Sequence, residues 1–190
     1  MKINLKQIYK GLDEWRAERK ITAESQKAGY LVNVMEEFGE LSQALRGLEI
    51  ESVRKTAEHG IIDALCDISV FTINAGANIS SPVKCIEIEL EKCRLNADCI
   101  LKKMVEQCAV FSYFEWGEVT CFNSILANCA YLCEHYGFNF EIAMLETIKE
   151  ISSRTGSYDE NAKKWVKDVS DEARAKWYRA DYEKARIAQC

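Results

Sequence analysis

Residues 61–75 read Ile-Ile-Asp-Ala-Leu-Cys-Asp-Ile-Ser-Val-Phe-Thr-Ile-Asn-Ala, and Asp63 and Asp67 are the only charges among these fifteen positions. A helix of this composition is buried almost all round, so the rest of the chain has to supply the surfaces that enclose it. At about 100° per residue, Asp63, Asp67 and Asn74 fall within roughly 40° of one another, a narrow polar stripe on an otherwise apolar cylinder. Carboxylates at i and i+4 repel by roughly a few tenths of a kcal/mol even on an exposed helix, and desolvation makes the arrangement far worse unless a cation or hydrogen-bond donors neutralise it. A divalent metal would do so. Salt bridges to Arg or Lys, or a role in capping another helix, would do the same.

The composition agrees with a helical envelope. One proline, Pro82, and nine glycines in 190 residues leave little for the turns of an all-β protein, while Ala, Leu, Ile, Glu and Lys are plentiful. The length suits one domain with a sizeable core, and the expected fold over 1–190 is an all-α antiparallel helical bundle. A net charge of −5 argues against binding duplex nucleic acid through a broad basic face. No uncharged apolar run is long enough to span a membrane, and the amino terminus lacks the apolar core of a signal peptide, so the expected localisation is cytoplasmic. The nine cysteines form no C-x-x-C pair and only His59 and His135 could complete a mixed site, so the thiols read as small buried apolar groups.

Helical spacing of apolar residues predicts a first helix over 5–19, a second from 22 or 25 to 48, and a third over 51–75. Ser81 and Pro82 would open a fourth, running to about 110 and carrying Ile86, Leu90 and Cys93 on its stripe. The aromatic cluster Phe111, Tyr113, Phe114 and Trp116 interrupts the periodicity. A fifth helix then runs from Phe122 to Tyr136 with Gly137 as its carboxy-terminal cap, and a sixth over 140–154. Residues 155–161 are the most loop-like stretch, and Ser170 caps a last helix.

The partner of the acidic stripe is the second helix, where Glu36, Glu37 and Glu40 stand within one turn of each other. The helical wheel places them largely opposite Leu31, Met35, Phe38 and Leu45, which by itself describes a solvated face. Two helices joined by a short connection lie antiparallel, however, and that brings Glu36, Glu37 and Glu40 across from Asp63 and Asp67. Oxygen-only ligation without histidine or cysteine suits hard Mg²⁺, or Mn²⁺ in its place, with phosphate oxygens and water completing the shell.

Glu-Glu-Phe-Gly-Glu-Leu-Ser-Gln-Ala at 36–44, followed by Ile-Asp-Ala-Leu-Cys-Asp-Ile at 62–68, resembles the paired-helix signature of the all-α nucleoside triphosphate pyrophosphatases, the MazG-like and phosphoribosyl-ATP-pyrophosphatase-like proteins. The resemblance implies a helical, Mg²⁺-dependent, oligomeric enzyme that releases pyrophosphate from a nucleoside triphosphate, with a homodimer or homotetramer expected. It carries the metal-ligand role to Glu37, Glu40 and Asp67, with Glu36 beside them. Much of the family has Glu-x-x-Asp on the second helix; here position 64 is Ala and the acid is Asp63, one residue earlier. Residues 81–119 interrupt the family-like core, which leaves about 1–80 and 120–190, and read as an inserted helical segment.

Lys149, Arg154, Lys163, Lys164 and Lys167 cluster around the loop at 152–159 in an otherwise acidic chain and could hold a polyphosphate; a solvated helix end is the plainer alternative. Asn74 could reach a sugar or base, and Trp15, Tyr30 or Trp165 could stack on one, although each also suits a core position. The expected chemistry is clamping of the triphosphate by metal held on Glu37, Glu40, Asp67 and Asp63, with Glu36 or Glu37 orienting or deprotonating the attacking water. No G-x-x-x-x-G-K-[ST] or G-x-G-x-x-G motif is present. Two other readings stay open: a non-catalytic helical protein whose acidic helices form a docking face, and a narrower enzyme acting on dUTP, dCTP or a phosphoribosyl nucleotide.

Overall fold

A computed structural model describes residues 2–77, 85–87, 97–113, 118–161 and 164–188. The chain is mostly helical. The helices are α1 (Lys6–Glu18), α2 (Ala23–Gly47), α3 (Arg54–Ala75), α4 (Ala97–Tyr113), α5 (Glu118–His135), α6 (Phe140–Ser153) and the single turn α7 (Asp171–Arg174), with 3-10 turns at Glu51–Val53 and Tyr182–Ala185. Two antiparallel ribbons accompany them, β1 (Lys2–Asn4) with β2 (Cys85–Glu87) and β3 (Gly156–Asp159) with β4 (Lys164–Lys167).

α3 is the axis of the bundle, as its composition requires. It packs against α2, α5, α6 and α1, and Ile61, Ile62, Leu65, Ile68 and Ile73 are completely buried. Its polar interior residues satisfy themselves locally: Ser69 Oγ donates to the Leu65 carbonyl and Thr72 Oγ1 to the Ile68 carbonyl, each at 2.8 Å. Since the Thr72 proton is committed, Tyr30 of α2 is the donor in its 3.1 Å contact with Thr72 Oγ1.

Small residues set the approach of α2 and α3. A Cβ on Gly47 would stand 2.9 Å from Ala57 Cβ, and one on Gly60 would stand 3.2 Å from Ala44 Cβ. Gly47 against Ala57, Ala44 against Gly60 and Tyr30 against Thr72 are successive pairs of one antiparallel register. The helix ends follow sequence chemistry. Thr22, Asn139 and Ser170 each accept a hydrogen bond from a backbone N–H three residues on. Gly137 takes φ +84° and closes α5 with the Phe138 N–H on the Cys133 carbonyl, a left-handed cap that β-carbon-bearing residues disfavour.

Two expectations fail. Of the helix expected over 82–110, the residues from Ala97 on are helical, whereas Cys85–Glu87 forms a strand that pairs with Lys2–Asn4. The Ser81–Pro82 opening, Leu90 and Cys93 lie outside the described residues, as do Phe114 and Trp116. α4 nonetheless joins the core through Ile100, Met104, Cys108 and Phe111, the last meeting Tyr30 edge-on at 5.0 Å.

The stretch 155–161, expected as loop, begins a hairpin. Its first residue has no room for a side chain: a Cβ on Gly156 would lie 2.3 Å from the Val166 carbonyl and 2.4 Å from the Trp165 ring. Gly156→Ala is expected to destabilise the protein by about 1–3 kcal/mol, the usual cost of overpacking, read as a lower thermal midpoint. An unchanged midpoint would mean that the hairpin contributes nothing to global stability. Arg19 ties this hairpin to the bundle. It is 6% exposed, donates to the carbonyls of Ser152 and Arg154 at 3.1 Å each, and lies between the Trp15 and Trp165 rings, 5.3 and 5.0 Å from their centroids.

A candidate carboxylate site

The α2–α3 register sets Glu37 across from Asp67 and Glu40 across from Asp63. On α2 the buried positions are Tyr30, Val34 and Leu41, and Glu37 falls on that same face between the last two. This corrects the sequence expectation. Met35 is half exposed, and Glu36 and Glu40 are exposed, but Glu37 turns inward and is only partly accessible. The apolar stripe misled because α3 seats itself on the face carrying Tyr30 and Val34.

Burial and the neighbouring charges push the Glu37 carboxyl up to about 8, with Asp67, Glu40, Asp63 and Glu36 all contributing. Burial likewise pushes Asp67 up to about 7, reinforced by Asp63 and opposed by Arg154. Asp63 is also raised by burial, but the Tyr182 hydroxyl donates to its Oδ1 at 2.6 Å and pulls the other way. Tyr182 reaches α3 because the chain end returns along α6, where its hydroxyl lies 3.0 Å from Thr147 Oγ1. No local pattern marked Tyr182, which is 119 residues from Asp63.

Beyond Asp63 and Asp67 stands a second tier from α6 and the carboxy-terminal segment. Arg154 donates to Glu150 Oε1 at 3.0 Å, and its charge favours ionisation of both aspartates while Glu150 opposes it. Lys167 sits 5.2 Å over the Trp177 ring and is lowered by burial and by Arg154 and Arg174. Glu146 is 2% exposed. Burial raises its carboxyl, but Lys149, Tyr178 and the Asp181 backbone N–H bond it and hold it down at about 2. Sequence reasoning missed Glu146 and Glu150 in this role; the i,i+4 pair Glu150–Arg154 was the available signal.

Arg154 and Lys167 are therefore neighbours on one side of the acids, whereas Lys163 lies outside the described residues. Asn74 is fully buried, its Oδ1 accepting from Arg16 Nη1 at 2.6 Å and its Nδ2 without a partner among the described residues, so it is not exposed to a solvent-borne ligand. Trp15 donates to the Ile151 carbonyl and Tyr30 is a core residue, so neither offers a free stacking face.

The donor set fits a hard cation in kind: carboxylates on opposed helices, two of them pushed towards or above neutrality by burial and by each other. Among the described residues, however, no three His, Cys, Asp or Glu side chains close on a common point, so binding requires rotation of Glu37, Glu40 or Asp67. His59 pairs with Glu183 at 2.7 Å, His135 stacks on Tyr131, and the buried thiols of Cys66 and Cys129 are pushed up by desolvation. Among the described residues no helix is long and apolar enough to cross a membrane. Comparison with protein-family models, with curated proteins and with solved structures finds no match to this chain.

Proposed function

We propose that this chain is a divalent-metal-dependent nucleoside triphosphate pyrophosphohydrolase, with a deoxynucleotide as the favoured substrate, related to the MazG-like and phosphoribosyl-ATP-pyrophosphatase-like proteins it resembles in sequence. The observation that carries the reading is the opposition of Glu37 and Asp67 across the α2–α3 register, a costly placement of acids that a cation relieves. Mg²⁺ or Mn²⁺ held by Glu37, Glu40 and Asp67, with Asp63 beside them, supplies charge neutralisation for the polyphosphate.

The protein's own groups do the rest. Tyr182 fixes Asp63 through the 2.6 Å hydrogen bond, and Arg154 and Lys167 offer cations to phosphate oxygens; Lys163 belongs to the same basic segment. Glu36 or Glu37 orients the attacking water and takes its proton. Water adds to the α phosphorus, the bond to the bridging oxygen breaks, and pyrophosphate leaves with the monophosphate as the other product. Val32 and Met35, 74% and 50% exposed on the outer side of α2, give an apolar face to the homodimer or homotetramer of this proposal.

The test is product analysis on ribo- and deoxyribonucleoside triphosphates with and without Mg²⁺, including dUTP and dCTP. Pyrophosphate and monophosphate in equal amounts are expected, and orthophosphate or no turnover would overturn the assignment. A second reading, a helical interaction protein whose acids form a docking face, is favoured by one observation, the absence of a closed ligand set among the described residues. It requires that Mg²⁺ leave the thermal midpoint unchanged.

A further inference from the structure

Resting on that reading, a cleft on α2 and α3 bears on how the nucleoside is held. It has a volume of about 590 Å³ and is continuous with the carboxylates, since Glu40 and Asp63 themselves line one end. From there the antiparallel register carries it past Ala44 and Gly60 towards Ile50 and Val53. The small side chains at Ala44 and Gly60 leave the floor open and apolar, and Gln43, Thr56 and Arg46 bring an amide, a hydroxyl and a guanidinium to its walls. A mostly apolar floor with a few polar groups, at a volume within the roughly 300–1,000 Å³ of small-molecule sites, describes a receptor for a flat, partly apolar body.

The cleft at the opposite end of α3 is separate from these acids. Asn74 is fully buried and bonded to Arg16, and the cleft of about 490 Å³ beside Arg16 contains none of the four acids. The cations that act on Asp63 and Asp67 lie on the α6 side, Arg154 on both and Arg179 on Asp63, whereas Arg46 is the one cation among the residues lining the α2–α3 cleft. A triphosphate with its charged end towards Arg154 and Lys167 therefore leaves its uncharged end over the α2 side of Asp63.

We propose that the Glu40–Asp63 cleft between α2 and α3 binds the base and sugar of the nucleoside triphosphate, with Gln43 and Thr56 as specificity-determining residues. Both positions are exposed, so they can be changed without disturbing the core. Thr56→Trp fills the cleft from its rim and Gln43→Ala removes the amide.

The experiment measures KM for the preferred nucleoside triphosphate together with the inhibition constant of inorganic tripolyphosphate, which carries the phosphates and no nucleoside. Thr56→Trp is expected to raise KM at least tenfold and to leave tripolyphosphate inhibition within twofold of wild type. Gln43→Ala is expected to alter the ranking among bases. An unchanged KM and ranking, or an equal loss for substrate and tripolyphosphate, would overturn the cleft assignment while leaving the hydrolase intact. Wild-type protein that hydrolyses no nucleoside triphosphate would overturn the underlying reading as well.

Discussion

Asp67→Asn is expected to make the metal-free protein more stable and to reduce metal-dependent pyrophosphate release by at least about a hundredfold. Both effects have one origin. Asp67 titrates at about 7 in the folded protein because burial and Asp63 penalise its charge, whereas its ordinary value is 3.8. A carboxyl raised on folding supports the fold fully only below its unfolded value, and that support is lost as pH rises through the folded value. At pH 8 the folded wild type therefore carries a charge it disfavours, and asparagine removes it.

The gain is set by that shift, reduced by solvent at the rim and by the cost of burying an amide, which leaves on the order of 1–2 kcal/mol or about 3–6 °C in thermal midpoint. Near pH 5 wild-type Asp67 is protonated when folded, and the difference should shrink towards zero. Melting curves of both proteins at pH 5 and pH 8 check this directly. A variant less stable than wild type at pH 8 would show that Arg154 already compensates Asp67, and a variant of full activity would remove Asp67 from the chemistry.

Much of this site is legible in residue order alone because the constraint on α3 is one-dimensional. Thirteen of the helix's residues are buried, and two acids in such a segment have to face whatever groove remains. Antiparallel pairing with the preceding helix then follows from a short connection. The identity of the inward glutamate does not follow, since hydrophobic periodicity locates the most apolar face of α2 and not the face that α3 selects. Glu37 falls between Val34 and Leu41, so the buried face is interrupted by the residue that matters.

The ribbons are hidden for a different reason. β1 and β2 are three residues each and are joined by backbone pairing across more than eighty residues of chain, a contact with no local signature. Tyr182 and Asp63 meet in the same way, through the return of the carboxy-terminal segment along α6. Long-range polar contacts of this kind are set by topology, which residue spacing does not encode.

Mg²⁺ is expected to raise the thermal midpoint strongly at pH 8 and hardly at pH 5.5. Glu37 at about 8 and Asp67 at about 7 are largely protonated at the lower pH, so a cation must displace their protons to bind there. At pH 8 Asp67 is ionised and Glu37 is about half ionised, and repulsion between them is released by the same ion. A ligand at about a hundred times its dissociation constant stabilises by about 2.7 kcal/mol, about 5–10 °C for a chain of this length. The metal-free midpoint should fall between pH 5 and pH 8, because both carboxyls are raised on folding and their support is lost across that window. Groups held low, such as Glu146 at about 2, act only in more acid solution and cannot mimic the trend. Added Mg²⁺ should flatten the fall, and Asp67→Asn should abolish the flattening. An equal Mg²⁺ effect at both pH values would point to ions bound elsewhere on the acidic surface, and no effect at either would leave the opposed acids as a docking face.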